Sequence, residues 1–265
     1  MAAIIGNRNI TLGVMGGTLI TAACYSGGEV FGCSPYDAAT TAYLKATYPA
    51  YWQAIKQFGW DNPQLVPWIN EDNDLIVSLV EVGKERWLKG DNVAYIKTGF
   101  IPNDHTGFKE LIKAPTTRPS DSTPFGSRAY SDGRWWWNCS SGMECSMCTS
   151  QNVYGYALQE IMELEFNYKE SDNGKLNGVV KRQFNGIRPT SYIECYMFTN
   201  NLSGSKGWMF QGWIAYVECT EYQNVVRKYV PCTHNGAAGM LDIVNAQWYG
   251  NANTSGAFTI EITDR

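Results

Sequence analysis

Between Ile161 and Tyr168 the chain alternates strictly. Met162, Leu164, Phe166 and Tyr168 point one way, Glu163 and Glu165 the other. A period of two predicts a half-buried strand. Similar short runs recur at Ala94–Pro102, Gly107–Ala114, Pro124–Tyr130, Arg134–Ser140, Gly178–Phe184, Tyr192–Thr199, Met209–Thr220, Val225–Cys232, Gly239–Val244 and Ala257–Ile262. They lie about ten residues apart, separated by Gly, Asn, Asp, Ser and Pro. That rhythm predicts a mainly β fold, an antiparallel β-sandwich or jelly roll. Within these runs, alternation puts Cys195 with Ile193 and Met197, and Cys219 with Trp213, Ala215 and Val217. Both cysteines read as buried thiols acting as small hydrophobes.

The first third differs. Residues 1–33 are Gly-rich and apolar, with alternation near Ile4-Ile5-Gly6 and Leu12-Gly-Val14-Met15, and read as extended or irregular backbone. Ser34 and Pro35 predict a helix start, with Ser34 as N-cap and Pro35 as the first helical residue. The run through Ala38–Thr47 favours helix until Pro49, and Tyr51–Phe58 adds a turn or two. Asn62-Pro63 and Val66-Pro67 interrupt. Leu75, Ile76, Leu79 and Val80 have helical spacing and predict a helix over Asp72–Leu88, with a strand within Leu75–Val82 as the competitor.

The 265 residues are 44% hydrophobic and 14% aromatic, enough to fill a large core without staples. Only 17% are charged, so part of the surface is expected to be covered by other chains. The net charge is −4 and no Lys/Arg run occurs, which argues against nucleic acid as a partner. The apolar stretch from Ile10 to Ala23 is short of the roughly 18 residues of a spanning helix, so no membrane insertion is expected.

Candidate chemistry is sparse. Cys145-Ser-Met-Cys148, with Cys139 upstream, has the spacing of half a zinc site. Structural zinc needs four ligands, and His105 and His234 are distant, so free thiols or a local disulfide are the favoured reading and no metal or cofactor is expected. Glu163 and Glu165 would stand about 7 Å apart on one strand face. Retaining glycosidase chemistry needs carboxyls flanking a sugar at about 5–5.5 Å, so the pair is geometrically possible. No surrounding motif supports it, and the pair reads as a solvated face. No phosphate-cradling loop, dinucleotide fingerprint or nucleophile elbow is present, so the chain is not expected to be an enzyme. Trp135 and Trp137 alternate to one face and Trp136 to the other. With Trp208 and Trp213 they are candidates for sugar stacking or for an interface, and packing against core and neighbouring chains is favoured.

Several tracts together resemble a known family. Glu85-Arg-Trp-Leu-Lys-Gly-Asp-Asn-Val-Ala-Tyr-Ile-Lys-Thr-Gly-Phe-Ile-Pro-Asn103 is similar to the entry of a LamG-like, concanavalin A-type jelly roll. Phe125-Gly-Ser-Arg128 resembles its second landmark. Val226-Arg-Lys-Tyr-Val-Pro-Cys232, Gly239-Met-Leu-Asp-Ile-Val-Asn245, Trp248-Tyr-Gly-Asn-Ala252 and Gly256-Ala-Phe-Thr259 resemble its close. The tract from Arg134 to Cys148 is richer in Trp and Cys than that family.

The resemblance implies a jelly roll over 85–265 behind an attachment region over 1–84. Such modules occur in virion proteins of tailed phages, and the layout is similar to a head or tail fibre of a crAss-like phage infecting Bacteroidetes. It implies a homotrimer on the particle surface that contacts capsid or tail proteins and in some cases host glycans. Ile4, Ile5, Ile10, Leu12, Val14 and Met15 would then be the assembly anchor. The alternative is a bacterial surface lipoprotein that acts as a lectin, with Thr21-Ala-Ala-Cys24 as its cleavage site.

Overall fold

The computed structural model describes residues 2–5, 8–11, 14–15, 18–19, 23–25, 28–31, 46, 65–69, 75–79, 84–117, 119–129, 133–147, 149–167, 173–184, 192–234, 236–242, 244–245 and 247–264, with side chains described mainly over 85–263. The chain divides into two compact units, Met1–Leu79 and Val80–Arg265.

In the first unit the described residues form antiparallel pairs. β1 (Ala2–Ile5) pairs with β2 (Arg8–Thr11), β3 (Val14–Met15) with β4 (Thr18–Leu19), and β5 (Ala23–Tyr25) with β6 (Gly28–Phe31). In the sequence Gly6-Asn7, Gly16-Gly17 and Ser26-Gly27 separate the partners. β7 (Leu65–Ile69) pairs with β8 (Leu75–Leu79), placing Pro67 opposite Val77. The helix expected over Asp72–Leu88 is therefore replaced by strand at Leu75–Leu79, the competing reading, and by strand again from Lys84. Leu75-Ile76-Val77 is rich in β-branched residues, and a complementary partner strand decides between the two periods. Of the helix expected from Ser34, only Ala46 lies among the described residues, and it is helical. The turns expected at Tyr51–Phe58 lie outside them, as do Leu12 and the side chains of Ile4, Ile5, Ile10, Val14 and Met15.

The second unit begins with β9 (Lys84–Lys89), β10 (Ile96–Lys97), β11 (Thr106–Lys113), β12 (Phe125–Ala129) and β13 (Gly133–Cys139). It continues with β14 (Met143–Met147), β15 (Thr149–Tyr154), β16 (Ile161–Asn167), β17 (Asn173–Leu176), β18 (Val179–Gln183), β19 (Tyr196–Met197), β20 (Asn200–Leu202) and β21 (Ser205–Gly207). β22 (Trp213–Glu221), β23 (Asn224–His234), β24 (Ala237–Asp242), β25 (Gln247–Tyr249) and β26 (Thr259–Asp264) complete it.

One sheet runs β10-β19-β12-β13-β14-β15, with β20 on β12 and β21 on β20. The other runs β18-β17-β16-β11-β22-β23-β24-β25, with β9 on β22 and β26 on β9. Apart from the parallel β12–β20 pair, the described pairings are antiparallel. The fold is mainly β, and the two sheets share one core as a sandwich. Phe108 of β11 meets Trp135 of β13 edge-on at 4.6 Å and Phe125 of β12 at 5.4 Å. The Trp137 indole N–H donates to the Glu165 carbonyl at 3.2 Å. Met162, Leu164 and Phe166 are buried, as their alternation predicts.

The expected grouping of Cys219 with Trp213 and Ala215 needs correcting. In the β11–β22 ladder Leu111 stands opposite Tyr216 and Ile112 opposite Ile214, so Ala215 is an extra residue. A bulge flips the faces beyond it. Val217 and Cys219 accordingly line the core, while Trp213 and Ala215 join Trp87 and Leu111 in a second cluster.

The sequence landmarks turn out to be architectural. Asp91 accepts N–H bonds from Val93, Ala94 and Ala257. Buried Asp242 accepts from Arg227, from the backbone of Lys228 and Val244, and from the Asn245 amide. Asn251 Oδ1 accepts from the Tyr95 and Asn253 backbones.

Candidate functional site

The tryptophans come first, because the chain is rich in them. Trp135 and Trp137 lie inside the sandwich, and Trp136 faces the other way, as alternation predicts. None of the three offers a ring to a ligand, since their exposures are 1%, 2% and 0%. The Trp136 Cβ sits against Gly126, where a side chain would collide with it, and its ring meets Trp208 edge-on at 5.3 Å. Trp208 is half-buried, with the Arg128 guanidinium 5.1 Å from its ring centre. Trp213 is buried between the Lys89 and Lys113 ammonium groups, and its N–H donates to Glu261 at 2.7 Å. Burial opposes ionisation of Glu261, but Lys89 and Trp213 outweigh it and hold the carboxyl below its usual range. Burial thus removes Trp135, Trp136, Trp137 and Trp213 as candidates for sugar stacking and places them in packing, the favoured of the two expectations: period-two alternation finds an outward face but not what covers it.

The thiols are also interior. Cys139, Cys145, Cys195, Cys219 and Cys232 are buried. Cys139 lies 3.3 Å from Met143 Sδ. Burial pushes the Cys139 and Cys145 thiols well up, against the thiolate form a metal needs. Cys148 lies outside the described residues, among which no group of three or more His, Cys, Asp or Glu comes together. No helix among them is long and apolar enough to cross a membrane.

Glu163 and Glu165 sit on the wet face of β16, each engaged by a cross-strand partner. Glu163 accepts from Lys109 at 2.9 Å and from the Tyr216 hydroxyl at 2.8 Å. Glu165 accepts from Lys175 at 2.8 Å and from the Asn167 amide. Lys228 and Glu218 extend the same ladder. This is a solvated ion-pair face of small energetic weight.

A different surface has the makings of a ligand site. Tyr222 is the one exposed aromatic residue among those described, at 62%. It sits at the tip of the β22–β23 hairpin, where Glu221 pairs with Asn224 and only Tyr222-Gln223 intervene. Both have positive φ, 49° and 66°, so the turn is of the I′ kind that matches strand twist. One face of the Tyr222 ring stacks on His105, centroids 3.8 Å apart and planes 24° apart. The other is left to solvent.

The loop beneath is fixed. The Asn103 N–H donates to Thr106 Oγ1 at 2.8 Å, and the His105 N–H to Asn103 Oδ1 at 2.8 Å. The Asn103 amide then donates to Glu221 Oε1 at 2.8 Å, and the Tyr222 N–H to the His105 carbonyl at 3.1 Å. Asp104 lies 3.4 Å from His105 Nε2. The result is a rigid, half-open aromatic platform rimmed by carboxylates and amides. Only the four-residue gap between the strand runs ending at Thr220 and starting at Val225 hints at it in the sequence.

No family model and no curated protein matches the chain. Among solved structures, it is similar to a Bacteroides ovatus protein whose carbohydrate-binding role is itself a proposal, with 13% identity, TM-score 0.51, and 73% of this chain covered. The match spans 64% of that protein's length. A NanB sialidase from Streptococcus pneumoniae aligns at TM-score 0.38 and 10% identity, over 54% of this chain and 26% of the sialidase. The first likeness bears on the fold alone; the second is too loose to bear on anything.

Proposed function

We propose that the second unit is a carbohydrate-binding module whose sugar platform is Tyr222 on His105. The exposed, back-stacked ring carries the reading. The C–H face of a pyranose packs on an aromatic face, while amides and carboxylates at the rim take its hydroxyls. The sandwich fold, similar to that of a protein put forward as carbohydrate-binding, is in keeping with it. The landmark residues Asp91, Gly126, Asp242 and Asn251 support reading the sandwich as LamG-like. Their bonds hold the frame, which leaves ligand contact to the loops.

The test is a glycan array followed by calorimetry on Tyr222→Ala. Exchange of one stacking ring should weaken binding about tenfold with the fold unchanged. Full retention of affinity excludes this platform.

A second reading keeps the module on a tailed-phage particle, multimeric and anchored by its N-terminal region. The hairpins β1–β6 favour it, because two-stranded hairpins are marginal alone and gain from a partner surface. Light scattering on the intact chain tests it: a clean monomer at micromolar concentration counts against a homotrimer.

A further inference from the structure

We propose that Glu221 reads a sugar hydroxyl at the Tyr222 platform, so that the site takes pyranosides with an unsubstituted hydroxyl beside the stacked face and disfavours those in which that oxygen is an ether or ester. This rests on the carbohydrate-binding reading and adds a specificity-determining residue to it. Glu221 closes β22, opposite Thr106 on β11 and opposite Asn224 across the turn, so its backbone is held from both sides. Its Oε1 accepts from the Asn103 amide at 2.8 Å. The same Asn103 side chain takes the His105 N–H at 2.8 Å, and the His105 ring backs Tyr222 with centroids 3.8 Å apart. One short chain of contacts therefore ties the carboxylate to the ring.

The bond from Asn103 occupies one carboxylate oxygen. Glu221 is half-buried, and its Oε2 takes no hydrogen bond among the described residues. A carboxylate only accepts, so what it asks of a ligand is a donor. A sugar hydroxyl is one; an ether or ester oxygen is not. The bond between hydroxyl and carboxylate is of the stronger, charge-assisted kind. Little ordering is left to do on binding, because Asn103 already fixes the side chain. Blocking the hydroxyl leaves that carboxylate facing an oxygen that cannot donate, which lowers affinity about tenfold at a half-open site. The other groups discriminate less. The Tyr222 face accepts C–H surfaces of many sugars, and the exposed Gln223 amide donates or accepts as the ligand requires.

The experiment is a glycan array on the full chain, followed by titration of the retained pyranoside and of its mono-O-methyl derivatives against the full chain, Tyr222→Ala and Glu221→Ala. On the unmodified chain, methylation at one ring position should weaken binding about tenfold. In Glu221→Ala the parent sugar should fall to the affinity of that methyl ether, so that the difference between the two disappears. A Glu221→Ala chain that binds both sugars more weakly by the same factor, with the difference intact, makes Glu221 a support of the loop and overturns the reading of a hydroxyl. An unmodified chain indifferent to methylation at every position overturns it without any substitution. Either result leaves the platform standing. Absence of glycan binding, or binding indifferent to Tyr222→Ala, overturns the platform itself.

Discussion

Asp91 and Ala257 are 166 residues apart in the chain, and the Ala257 N–H donates to the Asp91 carboxylate at 2.7 Å. The same carboxylate takes the Val93 and Ala94 N–H groups, so one side chain ties the entry of the sandwich to the loop before its last strand. Gly256, at φ +82°, lets the backbone come that close. Burial works against the charge, but the Ala94, Ala257 and Val93 donors outweigh it, and the carboxyl sits below its ordinary value. Asp91→Ala should destabilise the sandwich by about 1–2 kcal/mol in urea unfolding. Because the folded value is depressed, the stabilisation is present above the unfolded value and fades as pH falls through the folded one. A variant with the parent's midpoint at neutral pH refutes the tie.

Glu110 presents the opposite case. It points into the core from β11, fully buried, and neither carboxyl oxygen has a hydrogen-bond partner. Burial pushes its pKa well above the ordinary carboxylate range, favouring the neutral form. A raised folded value means that stability is greatest below the unfolded value and declines as pH rises toward the folded one. Each pH unit in that window costs about 1.4 kcal/mol. Glu110→Gln should leave stability at acid pH little changed and raise it at neutral and alkaline pH, flattening the profile. Parallel profiles for the two proteins rule this out.

How much of this was legible in the sequence depends on what a period of two can encode. The faces of Ile161–Asn167 were, because every second residue is apolar and every other one polar. The strand at Thr149–Tyr154 was not: Thr-Ser-Gln-Asn carries no alternation, and only its pairing with β14 makes it a strand. Trp213 was assigned to the wrong side because a bulge at Ala215 leaves no mark in composition. Trp136 was placed on the right side, but its cover comes from residues remote in sequence, such as Trp208. Tyr222 was missed because the rules for tight turns look for Gly or Asn, and here a bulky ring occupies the position.

Gly126 is required by the close approach of the neighbouring strand at Trp135 and Trp136. A Cβ added there would lie 2.4 Å from the Trp136 Cβ and 2.8 Å from the Trp135 carbonyl oxygen. The β12–β13 ladder cannot widen without losing its bonds, so Trp136 would have to leave its bed. Gly126→Ala should lower stability by about 1–3 kcal/mol and weaken the near-ultraviolet dichroism of the Trp136–Trp208 pair. Unchanged unfolding together with an unchanged aromatic spectrum contradicts the close fit.

Three described hairpins turn on two residues of positive φ, and they differ in what occupies the turn. Asn177-Gly178 and Ser203-Gly204 end in glycine; Tyr222-Gln223 has none. Left-handed backbone costs roughly 1–2 kcal/mol per residue with a full side chain, and more for a bulky one than for Asn. Such strain persists where something else needs the residue. Tyr222→Asn combined with Gln223→Gly should therefore stabilise the protein by about 1–2 kcal/mol while abolishing glycan retention. A turn that merely tolerates its tyrosine predicts the same gain in stability with no loss of binding, so affinity chromatography on immobilised glycan alongside thermal unfolding separates the two. If the double variant is less stable than the parent, the Tyr222–His105 stack outweighs the backbone strain and the hairpin is a structural feature first.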